Sequence, residues 1–273
     1  MKLRDCMWLW GHPEGCFNNN NEKYGFFAES RMTPVECCYY LGFSRLFMVP
    51  MHFKIDRRQY NKAFKSLSAY GWECFGALEA PEKIDTILED AKEFPNLTCA
   101  VFDDFVYQSA KLKKEGKPPV EPKALFDIHR RLHENDVRPL DMWMVLYTHE
   151  FGIDEANDKE FEKFIEPFDG IIMWNWKEVN APQIPEKFES FKKLTANKRR
   201  MFGCYLWNFG EAKEATAEAV VKQLDFYRER IMAGEAEGIV FHTNTMADAD
   251  LPAYDAAMEW IKQHGDEEVT VNK

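Results

Sequence analysis

"CAVFDDFVYQ", residues 99–108, decides how this chain is read. An apolar run of strand character, Leu97–Phe105, takes in two adjacent carboxylates, Asp103 and Asp104, and aromatics resume at once. Burying charge in a strand is costly unless the charge is paired or used. The stretch therefore reads as a buried strand whose polar end has a purpose.

Seven more runs of the same kind flank it: Cys6–Trp10, Arg45–Met51, Trp72–Leu78, Leu140–Tyr147, Gly170–Trp176, Met201–Trp207 and Gly238–Thr243. Each is nearly continuous in apolar residues, as expected of strands covered on both faces. Amphipathic stretches such as "EKIDTILEDAKEF" and "AEAVVKQLDFYRERIM" separate them. Thr33-Pro34, Pro81 and Pro252 mark helix starts, and Gly71, Gly170 and Gly238 sit where helices give way to strands. Eight β–α units in about 250 residues describe an α/β fold, a (β/α)8 barrel. A doubly wound open sheet ranks lower, because no Gly-rich phosphate fingerprint follows any strand. No linker or repeat breaks the chain, so residues 1–273 are expected to form one domain, with 266–273 as a flexible tail. Two long segments, His12–Met32 and Gln108–Glu121, are expected to be loops on the C-terminal face, where barrels build their sites.

Composition narrows the class. A net charge of −11 argues against a nucleic-acid partner. No apolar run approaches the ~18 residues of a membrane span, and no secretory h-region opens the chain. A cytoplasmic location is expected. The seven cysteines form no CxxC pair and no Cys/His zinc spacing, and read as buried reduced thiols.

Polar and aromatic residues gather at the predicted strand ends. Strand one supplies Trp10, His12 and Glu14; strand two His52; strand three Glu79; strand four Asp103 and Asp104. Strand five supplies Tyr147, His149 and Glu150, and strand six Trp174, Asn175 and Trp176. Strand seven supplies Tyr205, Trp207 and Asn208 (with Glu211 beyond), and strand eight His242 and Asn244. The opposite ends carry no comparable set. Any one member has an ordinary explanation: an Asp after a strand caps a helix, a His completes a core hydrogen bond, a Trp packs. Side chains alternate along a strand, so one of Asp103 and Asp104 faces the mouth while the other pairs with a neighbour.

The set suits carbohydrate. Sugar C–H faces pack on aromatic rings, and hydroxyls need donors and acceptors. Adjacent strands lie about 4.8 Å apart, which places Asp104 and Glu150 within roughly 5 to 9 Å, the range used in glycoside hydrolysis. Asp103, Asp104 and Glu150 are the expected catalytic carboxylates, and the remaining strand-end residues the substrate contacts. The expected partner is a small-molecule or oligosaccharide substrate, and no cofactor is required. A second reading is a metal-dependent isomerase, epimerase or hydrolase, with ligands drawn from His12, His52, Glu79, Asp104, His149, Glu150 and His242. A third is a non-catalytic sugar-binding barrel that keeps Trp174, Trp176 and Trp207.

The order of "FDDF", "LDMWMVLYTHE", "MWNW" and "GCYLWNFGE" resembles a group of uncharacterised bacterial proteins in the TIM-barrel glycoside hydrolase superfamily. The likeness covers strands four to seven. The Asn-Glu pair that many retaining barrel glycosidases carry at strand four is replaced here by Asp103-Asp104. An aspartate at that place is similar to the nucleophile of other clans, such as the α-galactosidase-like ones. The resemblance implies a nucleophile or stabiliser role for Asp103 or Asp104 and leaves the acid/base partner unassigned; geometry offers Glu150.

Overall fold

The eight apolar runs form eight parallel strands that close in chain order into a barrel. In the computed structural model, which describes residues 1–270, these are β1 Met7–Gly11, β2 Arg45–Met48, β3 Ala69–Glu73, β4 Leu97–Phe102, β5 Asp141–Tyr147, β6 Gly170–Trp174, β7 Arg199–Tyr205 and β8 Gly238–His242. β8 pairs with β1 from Met7↔Ile239 to Trp10↔His242, which closes the ring. The helices are α1 Pro34–Leu41, α2 Arg57–Ala63, α3 Glu82–Glu93, α4 Phe105–Lys114, α5 Pro122–His133, α6 Glu155–Ile165, α7 Ile184–Leu194, α8 Ala217–Met232 and α9 Pro252–His264. Their starts follow the punctuation. Thr33 and Glu36 form a reciprocal capping box, and Pro34, Pro122 and Pro252 open their helices. No helix among the described residues is long and apolar enough to cross a membrane. All seven cysteines are buried and free.

Three segments depart from the sequence reading. The third strand stops at Glu73, and the apolar residues after it form a three-ten turn, Phe75–Leu78, whose Phe75 and Ala77 are buried. The first half of the segment expected to be a loop from Gln108 is helical, because Phe105 and Leu112 lie on one buried face of α4. That helix ends before Gly116, which takes φ +73°. In the expected tail, residues 266–270 are tied to the N-terminus, with Leu3 N donating to Glu267 O and Val269 N to Met1 O, both at 2.8 Å; residues 271–273 lie outside the described residues.

Strand pleating divides the barrel cleanly. Trp8, Trp10, Phe47, Val49, Cys99, Val101, Trp143, Val145, Tyr147, Ile172, Trp174, Met201 and Val240 form one inner cluster. The alternate residues, among them Leu9, Leu46, Tyr70, Trp72, Ala100, Phe102, Met144, Met173, Phe202 and Phe241, pack in the outer cluster with the helices. The bore holds four tryptophans, Trp8 and Trp10 of β1, Trp143 of β5 and Trp174 of β6, and for the last two a neighbouring strand yields space. Trp143 lies in register with Gly170, and Trp174 with Gly203. A Cβ on Gly203 would come within 1.9 Å of the Trp174 ring, and one on Gly170 within 2.2 Å of Trp143.

Gly203→Ala is accordingly expected to destabilise the fold by about 1–3 kcal/mol through overpacking. A urea titration should show a lower midpoint at unchanged slope. An unaltered midpoint would mean that Trp174 does not fill the bore as described.

Candidate active site

Pleat parity carries on to the strand ends. On β3 the outward residues are Tyr70 and Trp72, so Glu73 faces the axis; on β4 they are Ala100 and Phe102, so Asp103 does. Asp104 follows with φ 48° and ψ 41°, a left-handed conformation that a short polar residue tolerates. This turn starts α4 and lays the Asp104 side chain against β5. There Oδ1 accepts a 2.7 Å hydrogen bond from the Tyr147 hydroxyl. Glu150, just past β5, accepts the Tyr147 backbone N–H at 2.8 Å. Three consecutive strands thus bring four half-buried carboxylates to the mouth: Glu73, Asp103, Asp104 and Glu150.

Burial is the main force on their protons. It pushes Glu73 and Glu150 each up to about 7. Backbone N–H donors from Phe75 and Tyr147 pull these two back in part, and the Asp104 charge adds to the rise at Glu150. Asp103 is raised well above the usual carboxylate range by burial and then by the neighbouring Asp104 and Glu73. Asp104 is also raised by burial, but the Tyr147 hydroxyl and Lys23 favour its ionised form. Asp103 is therefore the member of the pair that holds its proton more tightly, and Asp104 the member that ionises first.

Aromatic groups wall the site on the β5–β7 side. The Tyr147 and Tyr205 hydroxyls lie 3.1 Å apart. Half-buried Trp176 stands edge-on to both rings, at 5.8 and 5.7 Å. His149 is exposed and stacks on Tyr147 at 5.5 Å. Across the barrel, His12 Nδ1 must donate to the Val49 carbonyl at 2.7 Å, because a carbonyl only accepts. Burial lowers the pKa of His12 to about 4 and holds that of His242 well below its ordinary value, with the neighbouring His12 adding to the shift, so both rings are neutral. His12 then offers its Nε2 lone pair to His242 Nε2–H at 3.1 Å, which leaves His242 Nδ1 as a buried acceptor without a partner among the described residues. The His12–Met32 segment covers this side: Phe17 packs on His12, His242, Tyr24 and Phe209.

The other expected contacts have structural employment. Trp10 and Trp174 fill the bore. Trp207 donates Nε1–H to Tyr24 O at 2.8 Å and so anchors the β1 loop. Asn175 joins Thr148 to Lys177 O, and Asn208 binds Glu211. Buried Asn244 clasps both backbone groups of His12 and reaches Met32 O. Glu14 accepts from the Tyr60 hydroxyl, His52 stacks on Phe53 at the surface, and Glu79 is held by Lys117. The expected metal-ligand pool does not converge either. No three of its ligand atoms lie within 4.8 Å of one another, and the one set among the described residues that does is His129, His133 and Asp169.

Two site residues escape the sequence reading. Glu73 is hidden because the apolar run continues through the following turn. Lys23, on the short helical turn Asn21–Tyr24, acts on Asp104 from a segment that reads only as loop. A groove of about 620 Å³ lies away from these carboxylates, between the residues that open α7 and the face of α8.

No protein-family model and no curated protein matches the sequence. Solved structures resemble the fold. The PgaB (BpsB) glycoside hydrolase domain from Bordetella bronchiseptica is similar at TM-score 0.57 and 10% identity, over 97% of this chain and 99% of that one. Active domain 2 of a thermostable chitinase from Pyrococcus furiosus is similar at TM-score 0.60 and 9% identity, over 97% of each chain. A tryptophan synthase chain from Mycobacterium tuberculosis is similar at TM-score 0.51 and 10% identity, over 97% and 94%. Likeness at this level establishes the barrel, which hosts many chemistries, and no activity.

Glu73 supplies a stability test. Burial pushes its pKa up to about 7 in the folded protein against 4.5 for an ordinary glutamate, so the folded state binds the extra proton between these values. The favourable contribution is complete below about 4.5 and is lost as pH rises through about 7. Glu73→Gln removes the ionisation and should stabilise the protein at pH 8 by up to about 3 kcal/mol relative to wild type, with a smaller gain at pH 5. Thermal melts of both proteins at the two pH values check this; equal differences at both would refute it.

Proposed function

We propose that this protein is a carbohydrate-active enzyme that hydrolyses a glycosidic bond at the C-terminal mouth of the barrel. The observation that carries the proposal is the group Asp103, Asp104 and Glu150 beside Tyr147 and Trp176, in which burial favours the protonated form of all three while the Tyr147 hydroxyl and Lys23 favour ionisation of Asp104. A glycosidase needs that division: one carboxyl must give a proton to the leaving oxygen while another faces the sugar as an anion.

Asp104 is the anion, oriented by the Tyr147 hydroxyl, and serves as nucleophile or as stabiliser of the cationic transition state. Glu150, with its pKa near 7, is the acid/base group. One of its oxygens is fixed by the Tyr147 N–H, which leaves the other for the substrate. Asp103 and Glu73 add two further desolvated carboxyls at the mouth, while burial and the Asp104 charge keep Glu150 from ionising early. Trp176 offers the half-buried ring against which a pyranose face can pack, and Tyr205 and His149 offer hydroxyl and imidazole contacts. Two carboxyls and water suffice for the reaction, so the reading requires no cofactor. The barrel glycosidase neighbours support it at the level of fold.

The test is turnover of a panel of chromogenic aryl glycosides that differ in sugar and anomer. Asp104→Asn should lower kcat about a thousandfold while a sugar that binds the wild type still binds. Wild-type kcat/KM should fall as pH rises through about 7, and Glu150→Gln should abolish that limb. Retention of full turnover by both variants would overturn the assignment. Sugar binding without turnover by the wild type would favour a binding barrel.

A further inference from the structure

The opposite end of the barrel holds a second group of chemically capable side chains. Helices run back antiparallel to the strands, so the C-terminus of α5 lies at the N-terminal end of the barrel, beside the residue that precedes β6. His129 and His133 sit one turn apart on α5, on the same face, with their rings stacked at 4.0 Å. Both present Nε2 to a single carboxylate, Asp169. His133 Nε2 lies 2.9 Å from Oδ2, and His129 Nε2 lies 3.5 Å from Oδ1. The three are half-buried.

We infer that His129, His133 and Asp169 form a binding site for a divalent transition metal ion of the zinc class. The donors are two imidazole nitrogens and a carboxylate oxygen, the set that zinc and its neighbours prefer over magnesium or calcium. The three ligand atoms lie within 4.8 Å of one another. An ion at about 2.1 Å from each donor in tetrahedral geometry holds its ligands about 3.4 Å apart, close to the 2.9 Å from His133 Nε2 to Oδ2 and the 3.5 Å from His129 Nε2 to Oδ1, the two rings facing different oxygens of one carboxylate.

The carboxylate is already fixed. Asp169 Oδ2 accepts the Met142 backbone N–H at 2.7 Å. The Asp169 N–H bonds Met142 O at 2.9 Å, and the Asp169 carbonyl accepts from Arg199 N at 3.0 Å. Such bonds to a ligand orient it and raise metal affinity. The nearby Lys198 ammonium is engaged by the Glu166 carbonyl. An open groove of about 560 Å³ lined by His129 and Asp169 gives an ion access and leaves water its remaining positions. An ion here joins α5 to the start of β6 and lies at the other end of the barrel from the carboxylates of the mouth, so the site stands or falls apart from the glycosidase reading.

Isothermal titration of the full-length, reduced, tag-free protein with zinc chloride tests this. The expected result is one ion per chain at micromolar or tighter affinity, with magnesium inert. Cobalt should give visible bands of a low-symmetry site in the wild type. His129→Ala and His133→Gln should each weaken zinc binding at least tenfold, and circular dichroism confirms that the variants are folded. Absence of stoichiometric zinc binding to the wild type, or binding unchanged in the folded double variant, would overturn the inference.

Discussion

In a closed parallel barrel every second residue must face the axis, and this alternation fixes where each functional group can stand. It places Trp8, Trp10, Trp143 and Trp174 in the bore and, further along the strands, Glu73, Asp103, Tyr147, Tyr205 and His242 at the rim. The floor beneath the rim is therefore aromatic and dry. Carboxylates above such a floor lose more hydration than the nearby cations Lys23, Lys83 and Arg57 offset, and their protons are held accordingly. The glycines at 170 and 203 belong to the same constraint, because Trp143 and Trp174 fill the bore beside strand positions that carry no side chain.

Asp104 is the exception that makes the arrangement asymmetric. A residue that continued the strand would point outward into the helix layer. The left-handed turn at Asp104 instead starts α4 and brings its carboxylate to the Tyr147 hydroxyl. Two adjacent aspartates thus reach different surroundings: Asp103 shares a buried acidic neighbourhood, and Asp104 receives a hydrogen bond and the field of Lys23. The Tyr147 residue organises both sides, since its hydroxyl serves Asp104 and its backbone N–H serves Glu150.

Much of this was legible in the sequence, and the losses have physical causes. Continuous apolar runs located all eight strands, and strand-end polarity singled out Asp103, Asp104, Glu150, Tyr147, His149, Trp176 and Tyr205, which do come together. Strand three misled because a buried three-ten turn has the same composition as a strand; Glu73 was passed over for Glu79, which pairs with Lys117 at the surface. Asn175, Asn208 and Asn244 could serve a ligand or a loop equally well, and only their partners show that they latch loops. Trp174 and Trp207 differ from Trp176 in exposure alone, which no local pattern encodes. His12 and His242, far apart in sequence, bind one another and so compete with any metal for the same lone pair.

The central claim is that burial keeps protons on the carboxylates at the mouth while Asp104 remains the ionised member. Carbon-13 NMR titration of the side-chain carboxyl groups, assigned through single substitutions, measures this directly. The account predicts midpoints near 7 for Glu73 and Glu150, and Asp103 still protonated where Asp104 has ionised. Ordinary titration of all four groups, complete by about pH 5, would contradict it.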